Sequence, residues 1–367
     1  MTYTKIEWTE QSWNPLAGCT IKSPGCKHCY AMKMAKRCEA MGTAKYAGTT
    51  ITVKGKAVWT GKINFDEKAL LAPLHRKKPT MYFVNSMSDL FHEDVPDEWI
   101  DKIFAVMALC PQHTFQLLTK RADRMRIVVS EIVHAKRMVI QAMRDLKNGS
   151  IGSIDGAASA LWGPDVDNPR PLPNVWLGVS VEDQKRADER IPDLLATPAA
   201  VRWLSMEPLL GPVDLASVNG GWFYQNVLTG HRWHDAPDGV LSPTDNNGGR
   251  LDWIVVGGES GPGARPMHPE WARRLRDQCE AAGVPFLFKQ WGEWVPVCGA
   301  VDGWDIGDDP EQSRFDHRDW ENGKWGDAYR PAWCDETEDD TVFRVGKKRA
   351  GRFLDGKTHD DFPVGQK

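Results

Sequence analysis

The chain has 367 residues, of which 41% are hydrophobic, enough for one large domain or for a domain with insertions. Its formal net charge is −4, which excludes a uniformly basic nucleic-acid coat but leaves a local basic groove open. The N-terminal stretch MTYTKIEWTEQSW lacks the apolar region of a signal peptide, and no apolar run approaches the roughly 20 residues that span a bilayer. We therefore expect a cytoplasmic protein with no membrane partner.

Short apolar runs that end in polar residues recur along the chain and have the length of buried parallel strands. A weak first strand precedes Cys19, and the clear runs are 81–89, 115–121, 175–183, 202–208, 252–260 and 285–292. Helical patterns lie between several of them, at 97–110, 122–147, 181–197 and 268–283. This alternation predicts an α/β fold with a parallel sheet. About seven strands suit a partial (β/α) barrel better than a closed eight-stranded one.

Three stretches interrupt this pattern. Two of them, about 148–173 and 219–249, are rich in Gly, Pro, Asn and Asp, and we interpret them as inserted loops or lids. Beyond a barrel at 1–300, residues 301–367 form an extension that contains an acidic, Trp-rich stretch. We expect this C-terminal extension to pack on the barrel rather than to fold alone. Its basic run KKRAGRF, residues 347–353, either contacts phosphates or is merely solvated.

Cysteine usage gives the most specific signal. In a reducing compartment the eight cysteines do not predict a disulfide framework, and clustered ones are typical of metal sites or redox chemistry. Cys19, Cys26 and Cys29 lie within eleven residues, after the first predicted strand and before the first predicted helix. We interpret four scattered cysteines as ordinary thiols: Cys110, Cys279, Cys298 and Cys334.

Two kinds of site fit three neighbouring thiols. Structural zinc requires four protein ligands, the fourth here being Cys38 or His28, whereas an iron–sulfur cluster with three protein ligands keeps one iron open. A zinc ribbon normally has two C-x-x-C pairs, and this chain has one. Cys38 lies on the helix predicted from Tyr30, about 13 Å beyond Cys29 at 1.5 Å per residue. We therefore expect three ligands, with Cys38 outside the set.

Polar residues that follow the predicted strands are candidates for ligand contact, because chemistry in (β/α) barrels lies at the carboxyl ends of the strands. Asp89 and Glu207 also have structural interpretations, as a helix N-cap and as an ion-pair partner of Arg202 or Arg121. The GGESGPGARP stretch lacks the Lys and Ser or Thr of a phosphate loop and is better interpreted as a tight, ligand-lining turn. The candidates are Ser86, Ser88, Asp89, Thr119, Lys120, Arg121, Ser180, Glu182, Glu207, Lys289 and Gln290.

The C-x6-C-x2-C spacing resembles the cysteine loop of radical S-adenosylmethionine (radical SAM) enzymes, whose usual spacing is C-x3-C-x2-C. More closely, the chain resembles a phage and bacterial three-Cys-motif family of uncharacterised function that is related to them. The matching stretches are IEWTEQSWNPLAGC, SPGCKHCYA, NSMSDLF, LLTKR, LGVSVED, SMEPLLGP, VVGGESGPGARPM, FKQWGEW and KKRAGRFLDGKTHDDFP.

This resemblance implies a radical SAM-type partial barrel in which Cys19, Cys26 and Cys29 hold a [4Fe–4S] cluster. SAM binds the open iron through its amino and carboxylate groups. An electron from a donor such as flavodoxin or ferredoxin then cleaves it to methionine and a 5′-deoxyadenosyl radical. By the same resemblance, the SAM-binding residues are Ser86, Ser88, Asp89, Ser180, Glu182 and Glu207.

In radical SAM enzymes a Gly-Gly-Glu motif often follows the second strand. Here Gly257-Gly258-Glu259 follows a later strand, so its role is not transferred. The substrate is unknown, and modification or repair of nucleic acid is our first hypothesis. Two alternatives stay open: a non-catalytic protein in which the cysteines hold zinc and the barrel mouth recognises a partner, and a structural or redox-sensing iron–sulfur centre without SAM.

Overall fold

The computed structural model describes residues 4, 6–135, 170–235, 241–243, 249–296, 316–327 and 341–363. By its internal contacts the chain divides into two compact units. The first unit is Met1–Val179 with Pro192–Trp203, and the second is Ser180–Ile191 with Leu204–Lys367. Within the described ranges, no helix has the length and apolar character required to cross a membrane.

The main sheet has seven strands, and their order in the sheet is their order in the chain. The first unit contains β1 to β3, β4 up to Val179 and β5 up to Trp203. The second unit contains Ser180, the end of β5, β6 and β7. This order confirms the predicted α/β class and agrees with a partial (β/α) barrel. The strands are β1 (Gln11–Trp13), β2 (Met81–Val84), β3 (Thr114–Thr119), β4 (Val175–Ser180), β5 (Val201–Met206), β6 (Trp253–Gly257) and β7 (Phe286–Gln290).

Neighbouring strands pair in parallel, for example with Gln11 opposite Tyr82 between β1 and β2. All six residues of β4 are buried, as expected for a parallel strand covered on both faces. Gly178 lies so close to the Trp203 indole that a Cβ atom would meet it at 2.5 Å, so only glycine fits there. Fully buried tryptophans fill the cores of the two units: Trp8, Trp13, Trp176 and Trp203 in the first, and Trp253 in the second.

The longer helices occur where the sequence predicted them. They are α1 (Tyr30–Ala40), α2 (Asp97–Leu109), α3 (Ala122–Ala135), α4 (Gln184–Ala196) and α5 (Pro269–Ala282). The ends of α5 follow the predicted signals, because Pro269 is its first residue and Gly283 caps it with φ 65°. The part of the predicted helix 122–147 beyond residue 135 lies outside the described residues.

One of the two predicted insertions differs from the loop that the sequence predicted. Within 219–249, strands 224–225, 232–235 and 241–243 join Val218–Asn219 in a four-stranded antiparallel sheet. The short strands were missed because no apolar alternation marks them. Of the other predicted insertion, residues 148–169 lie outside the described residues.

Only residues 316–327 and 341–363 of the predicted extension 301–367 are described. They form strands His317–Glu321, Lys324–Asp327 and Thr341–Arg344, which join Trp294–Pro296 in a second four-stranded sheet. Within the second unit, the Phe288 backbone N–H donates to the His359 carbonyl. The described end of the extension therefore packs on β7.

Shorter elements complete the described structure. A two-stranded sheet pairs Leu16–Ala17 with Asn64–Phe65, and a hairpin pairs Thr50–Val53 with Lys56–Trp59. Two short α-helices are Glu67–Leu70 and Lys347–Ala350. Three single-turn 3₁₀ helices are Pro24–Cys26, Ala44–Tyr46 and Ala72–His75.

An acidic cluster on α2 gives a pH-dependent prediction. Partial burial, together with Asp97, Glu98 and Glu131, raises the pKa of Asp101 to about 6. The folded chain therefore holds this proton more tightly than the unfolded chain, and stability falls as pH rises through about 4 to 6. Asp101→Asn should raise the free energy of unfolding at pH 7 by about 1 kcal/mol after solvent screening is allowed for.

Urea unfolding at pH 7 and at pH 4 measures this gain, which should vanish at the lower pH. Glu98→Gln removes one of the neighbouring charges and should give a smaller gain at pH 7. An equal effect of Asp101→Asn at both pH values would show that the Asp101 charge is not the cause.

Candidate functional site

The cysteine loop follows the carboxyl end of β1. Gly18 starts the loop with φ 103°, and a Cβ atom there would lie 2.0 Å from the Lys62 carbonyl oxygen. Cys26 ends the 3₁₀ turn, and the Cys29 backbone N–H donates to the Cys26 carbonyl at 3.2 Å. Cys29 is also the N-cap residue of α1. Tight turns therefore hold Cys26 and Cys29 close together, and the glycine lets the loop start against residue 62.

The three thiols lie near enough to influence one another. Burial raises the pKa of Cys19 to about 12, and Asp89, Cys26 and Cys29 add to the rise while Arg121 opposes it. Burial also raises the pKa of Cys29, where Cys26 adds to the rise. The Cys19 and Cys29 thiols therefore resist deprotonation until a cation compensates the charge, and thiolate-binding metal centres provide such compensation.

The side chain of Arg121 forms the centre of the polar network beside this loop. It is 1% exposed and follows β3. Its Nη1 atom donates to Asp89 Oδ2 at 3.0 Å and lies 4.0 Å from Cys19 Sγ. Its Nη2 atom donates to Thr20 Oγ1 at 2.6 Å, and its Nε atom donates to Glu93 Oε2 at 2.7 Å. One guanidinium therefore connects the segments that follow β1, β2 and β3.

Asp89 and Glu93 provide the negative charge that balances Arg121. Asp89 is 5% exposed, and its Oδ1 atom accepts hydrogen bonds from Thr119 Oγ1 at 2.7 Å and from the Phe91 N–H at 3.0 Å. Partial burial raises the pKa of Glu93, but the hydrogen bond and charge of Arg121 outweigh it and leave that pKa at about 2. Asp89 is thus part of a buried ion pair and not the cap of a long helix.

His92 completes the network as a neutral ring. Burial and the charge of Arg121 lower its pKa. Its Nδ1 atom accepts the Asp94 N–H at 3.1 Å, so Nε2 carries the hydrogen and donates to Thr20 Oγ1 at 3.0 Å. Thr20 thus accepts two hydrogen bonds, from His92 and from Arg121, which fix the residue next to Cys19.

The two candidate serines after β2 lie beside the cysteine loop. Ser86 Oγ bonds to Asn14 Oδ1 at 3.1 Å, and the Ser86 carbonyl accepts the Tyr30 hydroxyl at 2.8 Å. Ser88 pairs with Gly18 in an isolated parallel bridge. Its Oγ atom is buried and has no hydrogen-bond partner among the described residues. An orphaned hydroxyl on a residue that pairs with the start of the cysteine loop is a polar group ready for a ligand.

Lys120 lies beside Arg121 in the first unit, and its backbone N–H donates to Asp89 Oδ2 at 3.2 Å. The remaining candidates belong to the second unit. Glu182 is fully buried and pairs with Arg190 at 2.9 Å, and Arg190 also donates to the Ser180 carbonyl at 2.6 Å. Glu207 follows β5 and pairs with Lys289 at 2.8 Å, a different partner from the arginines considered from sequence. A Cβ atom at Gly257 would lie 2.8 Å from Glu207 Oε1. Glycine therefore leaves the space that the Glu207 carboxylate occupies.

The Gly-Gly-Glu stretch has a structural explanation within the second unit. A Cβ atom at Gly258 would lie 1.8 Å from the Trp291 carbonyl oxygen, so two backbone segments approach too closely for any side chain. Glu259 accepts two hydrogen bonds from the Arg265 guanidinium, at 2.6 and 2.8 Å. This pairing holds the GPGARP turn closed. A cavity of about 660 Å³ elsewhere in this unit contains none of the predicted site residues in its lining.

From the sequence, Arg121 was predicted only as one of several polar residues that follow the strands. Thr20, His92 and Glu93 were not predicted as site residues. One signal was available, because the acidic residues of NSMSDLFHED follow β2 and the basic residues of LLTKR follow the adjacent β3. Opposite charges at the ends of adjacent strands predict an ion pair.

The buried pair gives a stability prediction. Arg121→Met should lower the free energy of unfolding by about 3–5 kcal/mol, because it leaves the Asp89 carboxylate buried and unpaired. Arg126→Met is the matched control. The Arg126–Asp193 ion pair is 2.7 Å long, similar to the 3.0 Å of Arg121–Asp89, but the Arg126 side chain is about half exposed. This substitution should lower the free energy of unfolding by less than about 1 kcal/mol. Urea titration of the variants measures both effects, and equal losses would contradict the central role of Arg121.

Comparison with known proteins adds a family but no activity. A family model described as "Protein of unknown function (DUF5131)" matches residues 3–363. No curated protein matches the chain, and no solved structure does. The family description names no reaction, so the activity has to be argued from the site. Because the match spans nearly the whole chain, the protein belongs to the DUF5131 family.

Proposed function

We propose that the protein is a radical SAM-like enzyme. In this proposal Cys19, Cys26 and Cys29 hold a [4Fe–4S] cluster, and SAM binds at the iron without a protein ligand. The carrying observation is the group of three electrostatically coupled thiols after β1, beside a buried arginine. The sequence order of the parallel strands supports the radical SAM type of partial barrel without being specific to it.

The donor set fits a cluster better than a single zinc ion. All three candidate ligands are thiols, the donors that iron–sulfur clusters use. Within the described residues, no group of three or more His, Cys, Asp or Glu side chains is arranged to hold one metal ion. Zinc requires its ligands within about 2.3 Å of one point, whereas a cluster binds each thiolate at a different iron. The preference for the cluster over zinc therefore rests on the donor type and on the single C-x-x-C pair of the sequence.

The residues around the thiols have distinct tasks in this proposal. Arg121 offsets the negative charge that thiolate ligands bring into a buried site, and Thr20 fixes the backbone next to Cys19. Ser88 offers its unpaired hydroxyl to the SAM amino or carboxylate group. Asp89 acts on SAM through Arg121, because both of its oxygens already accept hydrogen bonds.

When bound, the cluster supplies the electron that cleaves SAM reductively, and a flavodoxin or ferredoxin is the proposed donor. Ser86 stays a proposed SAM contact. The second-unit residues Ser180, Glu182 and Glu207 stay proposed contacts of the cofactor. Glu182 and Glu207 each have a basic partner, Arg190 and Lys289, which orients the carboxylates for hydroxyl groups.

Ligand identity is tested by single serine substitutions. Replacing Cys19, Cys26 or Cys29 should each abolish iron binding after anaerobic reconstitution, because a hydroxyl is a poor substitute for a soft thiolate. Cys38→Ser is the matched control and should leave the iron content unchanged, since Cys38 lies on the far part of α1. Iron and sulfide analysis measures the outcome. Loss of iron in Cys38→Ser would indicate a four-ligand site.

The reaction is tested with SAM and dithionite. The loaded protein should release 5′-deoxyadenosine slowly without any substrate, because uncoupled cleavage needs only the cluster, SAM and an electron. Ser88→Ala should weaken SAM binding by about 1 kcal/mol while iron content stays constant. Chromatography of the products and a SAM titration measure these effects. A fully loaded cluster that releases no 5′-deoxyadenosine at millimolar SAM would contradict the proposal.

A further inference from the structure

The charge of the chain is distributed unevenly around the cysteine loop. Residues 18–62 contain nine Lys and Arg and a single acidic residue, Glu39, although the whole chain carries −4. All of this segment lies in the first unit. Six of the basic side chains are exposed and make no ion pair among the described residues: Lys27, Lys33, Arg37, Lys54, Lys56 and Lys62. A surface with so many unpaired cations attracts a polyanion.

The outward side of α1 combines these cations with apolar groups. Tyr30, Lys33, Met34, Arg37 and Met41 recur at the spacing of one helix face, and all five are exposed. Tyr30 is 56% exposed, Met34 43% and Met41 72%. The opposite side of α1 carries the buried residues Ala31, Met32 and Ala35. The outward face is therefore not an ordinary solvated face, because it exposes large apolar side chains between its charges.

The hairpin Thr50–Trp59 extends this surface. It packs against α1 through Trp59, which belongs to the same core cluster as Ala31, Met32 and Ala35. Ile51 is 51% exposed and Val53 45%. Lys54 lies in the turn that joins the two strands, and Lys56 follows that turn. We call α1 with its C-cap residue Met41 and the hairpin Thr50–Trp59 together the basic face.

Tyr30 gives the basic face a fixed aromatic ring next to the site. It follows Cys29 directly, and its hydroxyl donates to the Ser86 carbonyl at 2.8 Å. The hydrogen bond fixes the direction of a ring that is otherwise half exposed. Such a ring stacks on an unpaired base, and a base inside a duplex is not available for this contact.

We propose that the basic face binds single-stranded nucleic acid, with Tyr30 stacking an unpaired base beside the cysteine loop. The lysines and Arg37 contact phosphates, and Met34, Met41, Ile51 and Val53 cover the apolar faces of unstacked bases. The inference rests on the proposed function in that it names the substrate class of that site. An acidic protein is the other polyanion to consider, but it does not carry a flat ring beside each of its charges, as a single strand does.

The test measures binding of a fluorescently labelled 20-nucleotide single strand to the full-length protein, by fluorescence anisotropy and without the cluster. Affinity should fall steeply between 50 and 200 mM salt, as phosphate contacts require. Lys33→Glu with Arg37→Glu should weaken binding at least roughly tenfold at 100 mM salt. Tyr30→Ser should weaken binding by a smaller factor that does not depend on salt, whereas Tyr30→Phe should keep most of the affinity.

The matched control is Lys347→Glu with Lys348→Glu in the short helix Lys347–Ala350, which makes the same change in net charge. It should change the affinity less than about twofold. Equal losses of affinity in the control and in the Lys33 and Arg37 variant would overturn the inference, because the net charge of the protein rather than the basic face would then explain binding. Affinity for a duplex equal to that for the single strand would also overturn the inference. Competition by poly-glutamate as strong as that by unlabelled single strand would overturn it as well and would indicate an acidic protein partner.

The inference and the proposed function fail separately. Release of 5′-deoxyadenosine without binding of the single strand would overturn only the proposal that the basic face binds nucleic acid. Binding that the Lys33 and Arg37 substitutions abolish, in a protein that loads no cluster, would overturn only the enzyme proposal. All substituted side chains are exposed, so circular dichroism of the variants should match the wild type.

Discussion

The guanidinium of Arg121 connects three segments of the first unit that lie up to about a hundred residues apart in the chain. It donates to Asp89 after β2, to Thr20 after β1, and to Glu93 beyond Asp89, and it lies beside the Cys19 sulfur. With fewer partners, the buried Arg121 cation would lower the free energy of unfolding by several kcal/mol. The segments after β1, β2 and β3 therefore have to meet, and the cysteine loop is positioned as a result.

This constraint also explains how thiols are tolerated in a buried place. Burial, with further contributions from Asp89, Cys26 and Cys29, raises the pKa of Cys19 to about 12, and Arg121 is the cation that opposes the rise. The Arg121 guanidinium therefore lies where it can offset the negative charge of a Cys19 thiolate bound to a metal centre. The surface beside the loop is also positively charged. Six exposed cations between residues 27 and 62 have no ion-pair partners among the described residues.

Much of the fold was predictable because its signals are local. Pro269 and Gly283 mark the ends of α5, and apolar runs mark the buried strands such as β4. The ion-pair partners of charged residues were harder to predict from the sequence, because they depend on distances in the folded structure. Glu207 pairs with Lys289 from a strand some eighty residues later, and no local pattern distinguishes that partner from Arg202. The small antiparallel sheet that includes Tyr224–Gln225 was missed because its two-residue strands carry no periodicity.

The central claim is that three protein thiolates leave one iron of a four-iron cluster free for SAM. Mössbauer spectroscopy of the protein loaded with ⁵⁷Fe tests it most directly, because the method resolves the irons of one cluster. Adding SAM should change the isomer shift of one iron in four and leave the other three unaltered. A spectrum that SAM leaves unchanged at full iron loading would contradict the account, as would a protein that binds no iron at all.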